Sequence, residues 1–431
     1  FQMIQTIEQI EKISGTLPLP GDKSISHRAV LFSAMADGTS SVINFLDSED
    51  VNSSIECVKN LGAEIERKGK DLVITGKGKG NFEKPARTLY AGNSGTTARL
   101  MSGILAAQKF ESEISGDESL SKRPMGRIAE PLGLMGASIT THNGCLPMRI
   151  FPADLSPIEY ELPVASAQVK SAAILAGVHL KETTKIIEPV QCRNHTELML
   201  NLPVTKSDNG NVIEVNDSFY PEPKQYIVPA DISTAAFFIV LTLISKGSEL
   251  IIRNVLLNKT RAGIIDLLKM MNADIEIIEL NELTGERVGD LRVKSSELKN
   301  VNIPSDLTPN LIDEIPILSA AGLFAEGDFI INNAAELRAK ESDRISSLVE
   351  NYRKLNLEAT EFEDGFAVRG NIDKNLSPLF SSFGDHRIAM AFSVLASQLK
   401  RGARVDGFEC VSISNPGFLA QLETISKYRF R

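Results

Sequence analysis

Pro20-Gly21-Asp22-Lys23-Ser24-Ile25-Ser26-His27-Arg28 sets an ammonium, a hydroxyl and a guanidinium fork behind a proline-glycine break, directly before the apolar run from Ala29 to Met35. Those are donors an oxyanion needs. A helix starting near Ile25 adds backbone N–H groups without intrahelical partners and the positive end of its dipole. Phosphate suits all of these donors, while a solvated, well-capped helix start is the other reading of the stretch. The G-x-x-x-x-G-K-[ST] spacing that wraps a nucleotide phosphate is absent, which excludes a P-loop.

Ala91-Gly92-Asn93-Ser94-Gly95-Thr96-Thr97-Ala98-Arg99 is a second glycine-rich turn before a helix, expected over Thr97 to Ala107 with Asn93 or Ser94 as cap. It is either a plain strand-to-helix turn or a place where a ligand approaches the backbone. Ser119 to Met125 adds Arg123 in a turn, where a solvated arginine is the simpler explanation. Ser166, Ala167 and Gln168 open a further helix whose N–H groups could meet an oxyanion, or Ser166 is an ordinary cap. Arg193 and His195 read most simply as a basic surface patch.

The second half of the chain differs in character. Asp313 and Glu314 stand just before an apolar helix, where they favour the dipole or, amid so many cations, supply a base. Glu336 to Ile345 packs Glu336, Arg338, Lys340, Glu341, Asp343 and Arg344 around a helix start; Lys340 and Arg344, four apart, are expected to share a face. Gly384-Asp385-His386-Arg387 puts a histidine and an arginine at one more helix start.

The elements that must position these groups recur: an apolar helix, a small-residue turn, a β-branched strand, a short helix and a second strand. Copies begin near Ala29, Thr97, Ser171, Thr234, Ile315 and Ile388, at roughly 65 to 80 residue spacing. Alternating strands and helices at this period imply an α/β architecture with helices packed on sheets. The 431 residues exceed one ordinary core, so two domains of about 200 residues are expected. Two proline-bearing extended stretches, Thr16 to Pro20 and Gln225 to Pro229, divide the copies three and three. If they lie side by side, residues 1–19 join 229–431 as one lobe and 20–228 form an inserted lobe.

Apolar residues at 42% and charged residues at 23% are ordinary globular values, and a formal charge of -9 argues against nucleic acid or an anionic membrane as partner. Cys57, Cys145, Cys192 and Cys410 form no C-x-x-C pair, so zinc and dithiol chemistry are not expected, the thiols read as buried or incidental, and a reducing cytoplasm is the simplest home. The apolar run from Ile232 to Ser245 is shorter than the roughly 18 residues that span a bilayer. Phe1-Gln2 before Met3 reads as the remnant of a cleaved tag, with no signal pattern after it.

Taken together and in this order, Gly-Asp-Lys-Ser-Ile-Ser-His-Arg at 21–28, Gly-Asn-Ser-Gly-Thr-Thr-Ala-Arg at 92–99, Arg123-Pro124, Ser166-Ala167-Gln168, Lys-Glu-Ser-Asp-Arg at 340–344 and Asp-His-Arg at 385–387 resemble the 5-enolpyruvylshikimate-3-phosphate synthase family over essentially the whole chain. The resemblance implies a two-lobed inside-out α/β barrel, each lobe holding three βαβαββ units with helices packed inside the sheets. It implies Lys23, Ser24, Arg28, Ser166, Ala167, Gln168, Arg193, Lys340 and Asp313 as contacts of shikimate 3-phosphate. It implies Lys23, Gly95, Arg123, Gln168, Arg344 and Arg387 as contacts of phosphoenolpyruvate. Asp313 would accept the 5-hydroxyl proton, Glu341 and His386 would handle the proton at the enolpyruvyl carbon, and Lys23 would touch both ligands.

The same resemblance implies no metal or other cofactor, a cytoplasmic monomer, and a target of glyphosate. Two positions depart from the family pattern: many members carry Asn where Glu336 stands, and many carry a lysine shortly before Pro416 where this chain has none. The wording at 166–172 is similar to the glyphosate-insensitive branch, whereas Gly95 stands where insensitive members often have Ala. The rival activity is enolpyruvyl transfer to a nucleotide sugar in cell-wall synthesis; Cys57 and Cys145 do not sit in the loop motif that such enzymes use as acid. A non-catalytic phosphometabolite-binding protein is disfavoured by the intact Lys23, Asp313 and Glu341.

Overall fold

The structure, a computed structural model, describes residues 3–426; Phe1 and Gln2, for which a tag remnant is expected, lie outside the described residues. The chain forms two compact units. The inserted unit comprises Pro20–Pro229 with Glu282–Glu286; the terminal unit comprises the chain before Pro20, Ala230–Asn281 and the chain from Arg287 onward. Sequence patterning does not anticipate the transfer of Glu282–Glu286, because nothing in those five residues resembles a hinge.

The inserted unit contains one sheet design three times. In each, a parallel pair is extended by two antiparallel strands: Gln225–Ile227, Thr39–Ile43, Asp71–Thr75 and Glu64–Lys68; Leu89–Tyr90, Ser112–Ser115, Cys145–Phe151 and Ser138–His142; and Glu159–Glu161, Thr184–Glu188, Gly210–Val215 and Val204–Ser207. Alternation sets one face inward: Leu72 and Ile74 of Asp71–Thr75 are fully buried while Thr75 is exposed. The helices Lys23–Met35, Gly95–Ala106 and Ala167–Gly177 are buried over most of their surface rather than along one stripe, so they are core helices. Two of them meet at Gly103, where a Cβ would lie 2.1 Å from the Ala172 carbonyl oxygen. Any larger residue must force the pair apart, at about 1–3 kcal/mol. Gly21 is constrained in the same way: its Cβ would lie 2.1 Å from the Asn44 carbonyl, beside the strand-like contact in which the Asp22 N–H donates to the Pro229 carbonyl at 2.7 Å.

In the terminal unit, Ser14–Leu17 pairs parallel with Glu249–Leu256, which runs antiparallel to Glu286–Lys294, with Asp274–Leu283 at the edge. A second sheet joins Leu379–Ser381 parallel to Ala403–Asp406 and that strand antiparallel to Ile4–Ile7. The third, Phe329–Ile331, Phe366–Arg369 and Glu358–Glu361, is antiparallel throughout, and its parallel pairing is reduced to an isolated bridge between Lys299 and Glu326. The helix Ile232–Ile244 is buried at every position from Ile232 to Leu243. Its uniform hydrophobicity thus reflects a core helix. Among the described residues, no helix is long and apolar enough to cross a membrane.

Helix starts lie earlier than their sequence patterns suggest. The first helix begins at Lys23, not near Ile25, because the Asp22 carboxylate accepts the Ile25 N–H at 2.8 Å and caps it. The second begins at Gly95, not Thr97, with Ser94 Oγ accepting the Thr97 N–H at 3.1 Å. In both cases polar residues that read as loop are the first helical turn. The third helix starts at Ala167, directly after its cap Ser166, in line with the reading of Ser166 to Gln168 as a helix opening.

Candidate active site

In the inserted unit, Lys23 and Ser24 occupy the first turn of their helix, partly exposed. Lys23 Nζ lies 2.9 Å from Asp50 Oδ2. Arg28, one turn on, is almost fully buried. Its Nη1 donates to the Ser24 carbonyl at 2.9 Å, its Nε to Thr196 Oγ1 at 2.7 Å and its Nη2 to Ser171 Oγ at 2.9 Å. These neutral oxygens aim the fork without cancelling its charge. Burial draws the Arg28 pKa down to about 10, against the opposing pull of Glu197, Asp22 and Glu286, so the guanidinium is charged at neutral pH.

Gly95 begins the next helix; a Cβ there would stand 3.1 Å from Arg99 Nη1 and 3.7 Å from Arg123 Nη1. Arg99 Nη1 donates to Gln168 Oε1 at 2.5 Å, and Gln168 Nε2 donates to Thr96 Oγ1 at 3.1 Å. Arg123 is not a loosely solvated side chain: its Nη2 donates to Asn93 Oδ1 at 2.8 Å, and Asn93 is held by Asp117. Gly95, Arg123 and Gln168 are thus brought together, and Arg99 joins them. Sequence reading assigns Arg99 no role, although its place one helical turn after Gly95 is the signal that could have found it.

Ser166 caps the third helix, with its Oγ 3.5 Å from the Val169 N–H, and Ala167 and Gln168 form its first turn. The three helix starts are cross-linked. Lys23 reaches Asp50, whose carbonyl accepts from Thr97 Oγ1 at 3.4 Å; Thr96 meets Gln168; Arg28 meets Ser171. Arg193 is half-buried, and its charge acts on Arg28. His195 is not a surface residue: it is fully buried, with Nδ1 2.6 Å from Glu286 Oε1. That partner lies far along the chain, where local patterning cannot see it.

In the terminal unit the charges are paired differently. Arg344 is 1% exposed and bonds three carboxylates: Nε to Asp385 Oδ2 at 2.7 Å, Nη2 to Glu341 Oε2 at 2.6 Å and Nη1 to Asp313 Oδ1 at 3.4 Å. Burial alone would lower its pKa, but Asp385, Glu341 and Asp313 reverse this and leave it above the ordinary arginine value. Arg387 Nη1 donates to the Asp313 carbonyl at 2.9 Å, and its Nη2 lies 3.8 Å from Asp313 Oδ2. Asp385 also caps the helix His386–Ala396 by accepting the Arg387 N–H at 2.9 Å, which places His386 and Arg387 in the first turn, His386 buried. This double role of Asp385 is missed when Gly-Asp-His-Arg is read for its cations alone.

Lys340 and Arg344 do not share a helix face. Lys340 is extended after the 3₁₀ turn Ala335–Ala339, and the helix starts only at Arg344, capped by Asp343. Both still reach Asp313 Oδ1, Lys340 at 3.8 Å and Arg344 at 3.4 Å. Glu336 holds Lys340 Nζ at 2.6 Å. Glu314, next to Asp313, is buried, accepts from Ser233 Oγ and lies 3.6 Å from Arg387 Nη1; Arg261 Nη2 donates to the same Ser233 hydroxyl at 2.7 Å. Among the described residues, no group of three or more His, Cys, Asp or Glu side chains is placed to hold a metal ion.

The inserted unit carries cationic helix starts and the terminal unit a carboxylate-rich arginine cluster, each on an α/β framework and each chemically suited to small anions. The profile of the family described as EPSP synthase (3-phosphoshikimate 1-carboxyvinyltransferase) matches residues 7–422. A 3-phosphoshikimate 1-carboxyvinyltransferase of Petrotoga mobilis is 45% identical, over 96% of this chain and 98% of its own. The solved EPSP synthase of Acinetobacter baumannii superposes with a TM-score of 0.87 at 39% identity, covering 99% of this chain and 98% of its own. The enolpyruvyl transferase NikO of Streptomyces tendae shares the fold, with a TM-score of 0.79 at 13% identity over 100% of this chain and 98% of its own. The chain belongs to the EPSP synthase family.

Proposed function

We propose that the protein transfers the enolpyruvyl group of phosphoenolpyruvate to the 5-hydroxyl of shikimate 3-phosphate and releases phosphate, the step of the shikimate pathway that leads towards chorismate and the aromatic amino acids. The 5-hydroxyl oxygen attacks C2 of phosphoenolpyruvate while C3 gains a proton. The tetrahedral intermediate then loses that type of proton from C3, the C2–C3 double bond re-forms, and phosphate leaves from C2. Family membership and the juxtaposition of Asp313 with Lys340, Arg344 and Arg387 support this reading, because the reaction needs a base held among cations that accept anionic substrates.

Within it, Lys23, Ser24, Arg28, Ser166, Ala167, Gln168, Arg193 and Lys340 hold shikimate 3-phosphate. Gly95, Arg123, Arg344 and Arg387, with Lys23 and Gln168, hold phosphoenolpyruvate, where their positive charge offsets repulsion between two anions. Asp313 takes the 5-hydroxyl proton, and Glu341 with His386 serve the proton at C3. We read each unit as an inside-out α/β barrel of three βαβαββ copies, a reading supported by the three sheets and the all-round buried helices of each unit. The same reading makes the protein a cytoplasmic monomer that binds neither nucleic acid nor membrane.

Phosphate release from phosphoenolpyruvate tests the assignment, with shikimate 3-phosphate in one reaction and the cell-wall nucleotide sugar in another. Turnover is expected only with shikimate 3-phosphate. Turnover only with the nucleotide sugar would replace the assignment by the rival one.

A further inference from the structure

We propose that a cavity in the inserted unit is a second ligand site, built for a free α-amino acid with a large apolar side chain and coupled to the helix start Ser166–Gln168. The cavity has a volume of about 200 Å³ and is lined by Arg127, Glu130, Tyr160, Pro163, Val164 and Val169, none of which is assigned to either substrate. That volume is below the roughly 300–1,000 Å³ of sites for drug-sized ligands, so the occupant is small. Arg127 and Glu130 come from the helix Gly126–Leu134, Tyr160 from the strand Glu159–Glu161 and Val169 from the first turn of Ala167–Gly177, with Pro163 and Val164 in the connection between strand and helix.

The polar groups of this cavity are left unused by the fold. Arg127 and Glu130 stand one helical turn apart, a spacing at which opposite charges can pair, yet among the described residues neither enters an ion pair or a side-chain hydrogen bond. Tyr160 is 7% exposed, and its hydroxyl makes no hydrogen bond among the described residues. Burial raises the pKa of that phenol and the Glu130 carboxylate raises it further, so carboxylate and hydroxyl are near neighbours. The rest of the wall, Pro163, Val164 and Val169, is apolar, and Val164 is 43% exposed. A cation, an anion, a free hydroxyl and an apolar wall complement a zwitterion with an apolar side chain: Arg127 takes its carboxylate, and Glu130 with the Tyr160 hydroxyl takes its ammonium. Pro163 and Val164 lie just before Ser166, and the Val169 N–H faces Ser166 Oγ at 3.5 Å. An occupant therefore braces the chain on both sides of Ser166–Gln168, and those residues can no longer settle freely around shikimate 3-phosphate. The coupling rests on the reading above, in which they contact that substrate; the ligand site does not.

Calorimetry on the full chain tests the site with three probes: L-phenylalanine, 3-phenylpropionate, which lacks the ammonium, and phenethylamine, which lacks the carboxylate. Only L-phenylalanine is expected to bind measurably up to about 10 mM. Arg127→Gln and Glu130→Gln are each expected to weaken it about tenfold and Tyr160→Phe about fivefold, with kcat and both substrate KM values unchanged when no amino acid is present. No binding to the parent protein, one-charge analogues that bind as tightly as L-phenylalanine, or undiminished binding in both glutamine variants overturns the proposal. Steady-state kinetics tests the coupling. Saturating L-phenylalanine is expected to raise the KM for shikimate 3-phosphate about twofold or more and to leave kcat unaltered. An unmoved KM overturns the coupling, and a rise that persists in Glu130→Gln at the same concentration places the amino acid elsewhere and overturns the site. A parent protein without turnover on shikimate 3-phosphate would defeat the functional reading instead, while calorimetry still decides the ligand site.

Discussion

Arg28 in the inserted unit and Arg344 in the terminal unit are both buried guanidinium groups near helix starts capped by an aspartate, Asp22 and Asp343 respectively. Their partners differ in kind. Arg28 gives its bonds to a carbonyl and two hydroxyls, Arg344 to three carboxylates. Burial accordingly lowers the Arg28 pKa to about 10, whereas the facing carboxylates carry that of Arg344 above its ordinary value. The choice of partner decides what the charge can do. Neutral oxygens fix the geometry of Arg28 without a carboxylate bonded to it; carboxylates offset part of the charge of Arg344, which at the same time fixes Asp313, Glu341 and Asp385 around it.

The largest expected effect contrasts the two arginines directly. Arg344→Met leaves Asp385, which is 0% exposed, without its principal counter-ion, and uncompensated buried charge of this kind costs about 3–5 kcal/mol. Arg28→Met strands only hydroxyls and a carbonyl, which costs about 1–3 kcal/mol. Urea unfolding of both variants measures the difference. An equal or larger loss for Arg28→Met would erase the distinction drawn between the two sites.

Next comes the division of labour that follows from it. Asp313→Ala is expected to lower kcat by about 100-fold or more with little change in the KM for shikimate 3-phosphate, because a base acts on the chemical step. Lys23→Ala should instead raise both KM values. Near-normal kcat in Asp313→Ala would remove the proposed base from the terminal unit.

Which parts of this were legible beforehand follows from sequence distance. The starts at Lys23, Gly95, Ala167 and His386 are legible because caps and first-turn donors sit within four residues of one another, as Asp22 and Ile25 or Ser94 and Thr97 do. The first helical residue is less legible: Lys23-Ser24 and Gly95-Thr96 read as loop although they are helical. The α/β class is legible from alternating periods, but the parallel pairings, such as Gln225–Ile227 with Thr39–Ile43, are not, since a strand does not encode its distant neighbour. The same limit hides the side-chain partners. Arg28 and Thr196 are 168 residues apart, His195 and Glu286 are 91 apart, and Arg344 and Asp385 are 41 apart. Donors could be found locally; which of them are neutralised could not.

A smaller effect is linked to pH. His27 is fully buried between Lys23 and Arg28 on the first helix, with Nδ1 2.8 Å from Ser54 Oγ. Burial first, then the charges of Lys23 and Arg28, hold its pKa well below 6.5. The unfolded chain therefore takes up this proton before the folded one does. The stabilisation is complete above about pH 6.5 and falls with acidification towards the folded pKa, by at most about 1.4 kcal/mol per pH unit. His27→Asn, which retains a partner for Ser54, should flatten that part of the pH–stability curve between pH 6.5 and 5. An unchanged slope would show that His27 carries no such proton-linked cost.

The smallest effect probes how finely the turn at Gly95 is set. Gly95 is the first residue of its helix, and the nearest atoms to an added methyl would be guanidinium ends, Arg99 Nη1 at 3.1 Å and Arg123 Nη1 at 3.7 Å. Backbone strain is not at issue, and alanine is the better helix former, so Gly95→Ala should melt within about 2 °C of the parent. The methyl nevertheless displaces Arg99, which bonds Gln168, and Gln168 is proposed to lie between both ligands. The expected outcome is a KM for phosphoenolpyruvate raised about fivefold, roughly 1 kcal/mol, weaker inhibition by glyphosate, and an unchanged KM for shikimate 3-phosphate. Steady-state kinetics with each substrate varied in turn reads all three. An unchanged KM for phosphoenolpyruvate would place Gly95 outside the pocket. A fall in melting temperature without a kinetic change would make the Arg99–Gln168 bond a brace of the fold instead of part of the anion receptor.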